Sequence, residues 1–312
     1  MTVHRHPRLR QFARVLFVAF LGLVAILLIR YARSVDWSQV AAAIAGYRAS
    51  TLLAAASLTL LSYLIYCGYD LAARAYSGHA LSTRRVMAIA FTSYAFSLNI
   101  GALVGGAGFR YRLYSHSGLS TSKISRIIAF TVATNWLGYL VLAGCVFASG
   151  IVVPPMGWEV GAAGLRWFGW LMLAIAVAYL VACRLSHGRV FHVGRHHFRF
   201  PSLRLALLQV VLAVTNWSIM AAIVYVLMPE QASYPSVLGV LLLAAVASAI
   251  AHIPAGIGVL EAVFAVLLHA LPQAQLLAAL LTYRAFYYLA PLLLAIALYA
   301  LFEARGKKPR AD

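Results

Sequence analysis

The sequence predicts an all-α polytopic membrane protein with about six full spans plus two re-entrant broken-helix hairpins. Three observations lead there. Of 312 residues, 63% are hydrophobic and only 10% are charged, against roughly 45–50% and 25% in soluble domains. A soluble fold of this size cannot hide that much apolar surface, because much of any exterior must face water. Disorder is excluded by the same hydrophobicity. Apolar runs also recur near the roughly 20 residues that a spanning helix needs. Finally, two of those runs, at 86–109 and 236–270, are interrupted by glycine or proline.

Charge separates the remaining classes. Twenty-five Lys and Arg against seven Asp and Glu give a net charge of +18. In a soluble chain that balance suggests nucleic acid. Here it reads as inner loops collecting cations, and no nucleic-acid partner is expected. Cys67, Cys145 and Cys183 lie in or at the ends of apolar runs without a CxxC pair. They read as packing residues.

The elements follow in order. MTVHRHPRLRQFAR precedes an apolar run from Val15 to Ile29. Its charge and length resemble a signal sequence, but Arg30, Tyr31 and Arg33 replace a cleavage site. An uncleaved span at about 12–31 is expected. Val35 to Ala49, with Trp37, reads as an interfacial stretch. A second span covers about 50–69, and Asp70, Arg74, Arg84 and Arg85 read as an aqueous loop.

Segment 86–109 starts as a helix, breaks at Asn99 and continues with Gly101, Gly105, Gly106 and Gly108. So many glycines penalise a continuous helix. Both flanks are basic, which fits a hairpin returning to the side it entered. Spans follow at about 126–149, 166–183 and 203–228, the last two joined by an arginine-rich loop. Segment 236–270 breaks again at AHIPAGIGVLE, where Pro254 removes a donor and Gly256 and Gly258 loosen the backbone. A final span runs about 275–302 into a basic tail.

With both termini cytoplasmic and both broken segments as hairpins, twenty of the 25 cations fall on the inner side. A full crossing at 86–109 would put the basic stretch from Arg110 outside, against the positive-inside rule. The order span, span, hairpin, span then occurs twice, at 12–149 and 166–302, within one transmembrane domain covering 1–312. GGAGF at 105–109 falls beside AGIGV at 255–259. The second unit is expected to be inverted, so the hairpins enter from opposite sides, as in secondary transporters. A second echo, ATNW at 133–136 and VTNW at 214–217, is out of that register. It reads as coincidence or as paired packing positions.

The candidate site residues are those that are expensive in lipid. Glu261 follows the second break in an apolar stretch, and Arg284 lies inside the last span, as its natural partner. Their pairing could simply fix hairpin to span, or serve a headgroup or proton. Arg110 and Arg112, with Tyr111, follow the first break. Arginine forks bind phosphate in bidentate fashion, and amides freed by a glycine turn add an anion nest. The plain alternative is a basic loop touching lipid phosphate. Asn99 and His252 complete the set, each with a bland reading as an interhelical hydrogen-bonding group. His187, His192, His196 and His197 crowd one loop without diagnostic spacing or carboxylates. No metal or cofactor is expected.

SLNIGALVGGAGFRYRLYSHSGLS and HIPAGIGVLEAVF resemble the lysylphosphatidylglycerol synthase transmembrane region family, or flippase-like integral membrane proteins. The most specific parts are FRYRLY and HIPxGxGxxE, and the resemblance spans nearly the whole chain. In the bifunctional members, such a membrane unit precedes a cytosolic aminoacyl-transferase domain. This chain ends at Asp312, just after the last span, so the resemblance implies the translocation half, without lysyl transfer. It implies a lipid translocase of the inner membrane, moving a charged-headgroup phospholipid or glycolipid, with Arg110, Arg112 and Glu261 as functional residues. Two alternatives stay open. One is a membrane subunit of a lipid-modifying synthesis system with a separate soluble transferase as partner. The other is a non-transporting scaffold.

Overall fold

The computed structural model describes residues 36–152, 161–186, 190–193, 196–251 and 256–306. The expected first span, His252 and the basic tail from 307 lie outside the described residues. Among the described residues, six helices are long and apolar enough to cross a membrane.

The described chain opens with α1 (Trp37–Ala45). Asp36 caps it, accepting the Ser38 and Gln39 amides at 3.0 and 3.3 Å. These bonds, the Ser38 hydroxyl first among them, hold the Asp36 carboxyl below its usual range. Val40 is the buried residue of this short helix and packs on Leu277 and Ala278, while Trp37 stays half exposed, as an interfacial anchor does.

Helix α2 (Ala49–Ser77) ends at Gly78, whose positive φ of 66° closes it. It outruns the expected span of 50–69. Asp70 is therefore no loop residue: it lies within the helix and is fully buried. The apolar run ends at Asp70, but the helix continues, because that carboxylate is paired inside the protein.

Helix α3 (Thr83–Ile100), capped by Ser82, runs to Gly101 at φ 102°. There the chain reverses through a π-helical turn, Ala102–Gly108, into α4 (Phe109–His116). Glycine is required at the reversal. A Cβ on Gly105 would sit 2.2 Å from the Phe96 carbonyl oxygen, and one on Gly106 2.8 Å from Ser97 Oγ. The Phe96 and Phe109 rings stack across the arms at 3.9 Å. At the open end, Arg85 Nε donates to Ser117 Oγ at 3.2 Å. Both arms thus start and finish at one end of the bundle.

Helix α5 (Thr121–Ser149) crosses next, then α6 (Gly161–Leu185) returns. Small residues let these helices and the next span approach closely: Gly144 meets Gly169, and Gly138 meets Ala213 of that next span. The arginine-rich loop is not wholly irregular. It forms a short antiparallel pair, β1 (Val190–Val193) with β2 (His196–Arg199). Helix α7 (Leu203–Leu227) then crosses back. Next to the Gly138 contact, Tyr139 packs edge-on against Trp217 at 5.4 Å, so the second NW falls at this helix crossing, while Trp136 of the first is half exposed.

Helix α8 (Tyr234–Ala251) has the same length, 18 residues, as α3. After the break, Gly256 and Gly258 adopt positive φ of 55° and 80°, and α9 (Val259–Leu267) runs back along α8. The last span is one rod in three parts: α10 (Gln273–Arg284), a π-helical stretch Ala285–Leu289 and α11 (Ala290–Gly306). Pro291 has no N–H to offer the carbonyl four residues earlier. That carbonyl, on Tyr287, accepts from Tyr63 Oη at 3.0 Å instead.

The chain trace sorts the charges. Helices α2, α4 and α6 stop, and α3, α5 and α7 start, at the end carrying Arg74, Arg84, Arg85, Lys123, Arg184 and Arg199. Tyr47 Oη, donating to the Leu227 carbonyl at 2.6 Å, marks the opposite end. There α8 begins and α9 finishes, so the two hairpins enter from opposite ends.

Candidate functional site

Two buried ion pairs anchor the hairpins to the spans. In the first hairpin, the Gly101 turn aims α4 back so that Arg110, near its start, faces α2. Arg110 Nε and Nη2 donate to the two oxygens of Asp70 at 3.1 and 2.9 Å. Tyr114 Oη donates to the same carboxylate at 3.0 Å, and Arg110 Nη2 reaches Tyr66 Oη at 3.3 Å. Arg110 is 3% exposed and Asp70 0%. A charged pair so buried persists only because fork and carboxylate match and the remaining donors are used.

In the second hairpin, Glu261 sits in the first turn of α9. It accepts the Gly258 amide at 2.9 Å, closing the helix start, and meets Arg284 of the last span. Arg284 Nε and Nη2 donate to the Glu261 oxygens at 2.5 and 3.1 Å. Arg284 Nη2 also donates to the Gly256 carbonyl at 3.0 Å, and its guanidinium lies 5.4 Å from the Tyr288 ring centroid. The pairing expected from sequence is therefore present. This pair is slightly wetter than the first, with side chains 14% and 10% exposed.

A belt of polar aromatic and hydroxyl groups runs from the first pair to the last span. The Tyr66 and Tyr94 rings stack at 3.5 Å. Tyr94 Oη and Ser62 Oγ lie 2.8 and 2.7 Å from Tyr287 Oη. Ser62 in turn donates to Asn216 Oδ1 at 2.8 Å. Ser62, Asn216 and Tyr287 lie near the middles of α2, α7 and the last span. These three groups and Tyr94 satisfy one another at a depth where lipid offers no partner.

Not every predicted residue converges. Asn99, at the first hairpin's tip, donates to the Ala95 carbonyl at 2.8 Å and to the Tyr288 carbonyl at 3.2 Å. It thus joins the first hairpin to the stretch of last span beside Arg284. Arg112 and Tyr111 point away, exposed. Arg112 stacks on Tyr299 at 5.7 Å and Tyr111 Oη lies 3.2 Å from Thr121 Oγ1. His252 lies outside the described residues. The expected anion nest is corrected: the Gly105 and Gly106 amides both donate to the Gly101 carbonyl, closing the π turn. Arg110 likewise meets Asp70 rather than an open anion site.

Sequence reasoning missed Asp70 and the tyrosines. A signal existed, since Tyr63, Tyr66 and Asp70 follow the i, i+3, i+7 spacing of one helix face. Tyr283 and Tyr287 are spaced i, i+4.

Residues 11–295 match the profile described as lysylphosphatidylglycerol synthase TM region. The chain belongs to this family. It is 45% identical over 308 residues to inner membrane protein YbhN of Escherichia coli (strain K12), covering 98% of this chain and 97% of that one. It is 33% identical over 281 residues to the uncharacterized protein slr0712 of Synechocystis sp., covering 89% and 86%. Together with the long apolar helices, these matches make it a multi-pass inner-membrane member of the family.

Proposed function

We propose that this family member is a lipid translocase. It moves a charged-headgroup lipid between leaflets, with its basic end and both termini in the cytoplasm. The two hairpins form the core of an inverted repeat, 12–149 and 166–302, and the headgroup passes between their tips while the acyl chains stay in lipid. The observation that carries this is the convergence of both hairpins on one stretch of the last span. Glu261 of the second hairpin pairs with Arg284, and Asn99 of the first bonds the Tyr288 carbonyl one turn on.

The chemistry follows from what each pair lacks when it opens. Moving a headgroup through hydrocarbon strips its water, and unpaired charge there is costly. Arg284 released from Glu261 offers a fork to a phosphate, and Glu261 offers a carboxylate to a cationic headgroup group. Each partner thus holds the place of a ligand charge, so neither stands bare during the exchange. The Asp70–Arg110 pair is drier and more fully bonded, and it acts as the fixed anchor of the first hairpin.

The test is headgroup movement in proteoliposomes. Glu261→Gln is expected to lower the rate at least tenfold, while the purified variant stays monodisperse and helical by circular dichroism. Wild-type rates in the variant contradict the proposal. Product formation only with an added soluble transferase supports a synthesis subunit instead.

A further inference from the structure

A second polar site lies away from the hairpins, at the basic end. A cavity of about 440 Å³ opens where α2, α6 and α7 meet the end of β2. That volume falls in the range of small-ligand pockets, roughly 300–1,000 Å³. Its lining includes Tyr76, Cys183, Arg184, Arg199, Ser202 and Leu203.

Positive charge reaches it from three elements. Arg184 comes from the last turn of α6, and Arg199 ends β2. The start of α7 adds amides that no helical carbonyl can accept from, with Ser202 Oγ taking only the Leu205 amide at 3.4 Å. The frame is fixed: Tyr76 Oη donates to the Arg199 carbonyl, and the next residue, Phe200, packs on Tyr179 at 6.2 Å.

No protein anion balances these charges among the described residues. Four carboxylates have described side chains. Asp70 is held by Arg110 and Glu261 by Arg284. Asp36 caps α1, and Glu230 follows the far end of α7. A site where no described carboxylate meets its two guanidiniums favours a phosphate and disfavours the ammonium of a zwitterionic headgroup. It sits at the ends of spanning helices, where basic pockets take lipid headgroups.

We infer that this cavity binds the phosphate of an anionic phospholipid as a resident ligand, separate from any lipid that is moved. The shared chemistry is a phosphate group, so the arms of the test separate lipid from free phosphate. The full chain is placed in nanodiscs of equal parts phosphatidylglycerol and phosphatidylcholine, then released into detergent, and retained lipid is weighed by native mass spectrometry. Wild type is expected to retain phosphatidylglycerol at least tenfold over phosphatidylcholine. Arg184→Gln with Arg199→Gln is expected to lose that preference, and Arg184→Lys with Arg199→Lys to keep part of it. Arg84→Gln with Lys123→Gln, at the same end but outside the cavity, is expected to keep it in full.

An equal loss in the Arg84/Lys123 variant would mean a diffuse basic surface and overturn the inference. So would no preference in wild type. Release of the lipid by 20 mM inorganic phosphate would assign the site to free phosphate and overturn the lipid half. Each readout is retention, not movement, so the outcome is independent of translocation.

Discussion

Asp70 shows what one buried charge demands. It accepts from Arg110 twice and from Tyr114 once, and no part of it meets solvent. Breaking such a pair by removing one partner leaves the other charge bare, at a cost of about 3–5 kcal/mol. Asp70→Asn is therefore expected to lower the melting temperature in detergent by several degrees. The apolar double variant Asp70→Leu with Arg110→Met is expected to recover most of the loss, because it removes both charges together. Thermal melts of Asp70→Asn, Asp70→Leu, Arg110→Met and the double variant check this. Neutral single variants would contradict the burial on which the anchor role rests.

At this scale the sequence was legible wherever charge stood alone. Glu261 and Arg284 each sit in an apolar run, so cost in lipid singled them out and opposite charge joined them. Asp70 was hidden because Arg74 follows one turn later, and the pair of charges imitated a loop. The tyrosines were hidden because composition counts them as apolar, although their hydroxyls build the belt around Tyr287.

Among the elements, the first hairpin depends on a backbone approach that only glycine permits. A methyl on Gly105 would collide with the Phe96 carbonyl at 2.2 Å, while one on Gly108 would meet nothing closer than 3.6 Å. Gly105→Ala is expected to open the tip, reducing both stability and headgroup movement. Gly108→Ala, in the same glycine run, is expected to leave both near wild type. Melting curves and proteoliposome rates for the pair decide it. Equal effects would mean that helix propensity, not close approach, governs the turn.

The breaks themselves were readable, since Gly101 and the Gly256–Gly258 stretch carry the positive φ that glycine supplies. The π turn was not, because its amides close on the Gly101 carbonyl through geometry that no residue pattern announces. Helix ends were underestimated for a related reason. Hydropathy marks the part of a helix that lipid touches, whereas α2 runs on for two further turns inside protein.

For the whole molecule, everything functional depends on how the hairpins are inserted. Charge sorting predicted the side of the first from its basic flanks, and the chain trace brings Arg85 and Ser117 together at that end. The second has almost no flanking charge, so its side followed only from counting crossings.

Cysteine labelling measures this most directly. Cys67, Cys145 and Cys183 are first replaced by alanine, and single cysteines are then introduced at the exposed positions Arg84, His116, Gln231 and His269. Spheroplasts and inverted inner-membrane vesicles are treated with a membrane-impermeant maleimide. Arg84→Cys and His116→Cys are expected to react from the cytoplasmic face alone, and Gln231→Cys and His269→Cys from the opposite face alone. Labelling of the two ends of either hairpin from different faces, or of both hairpins from one face, would contradict the account.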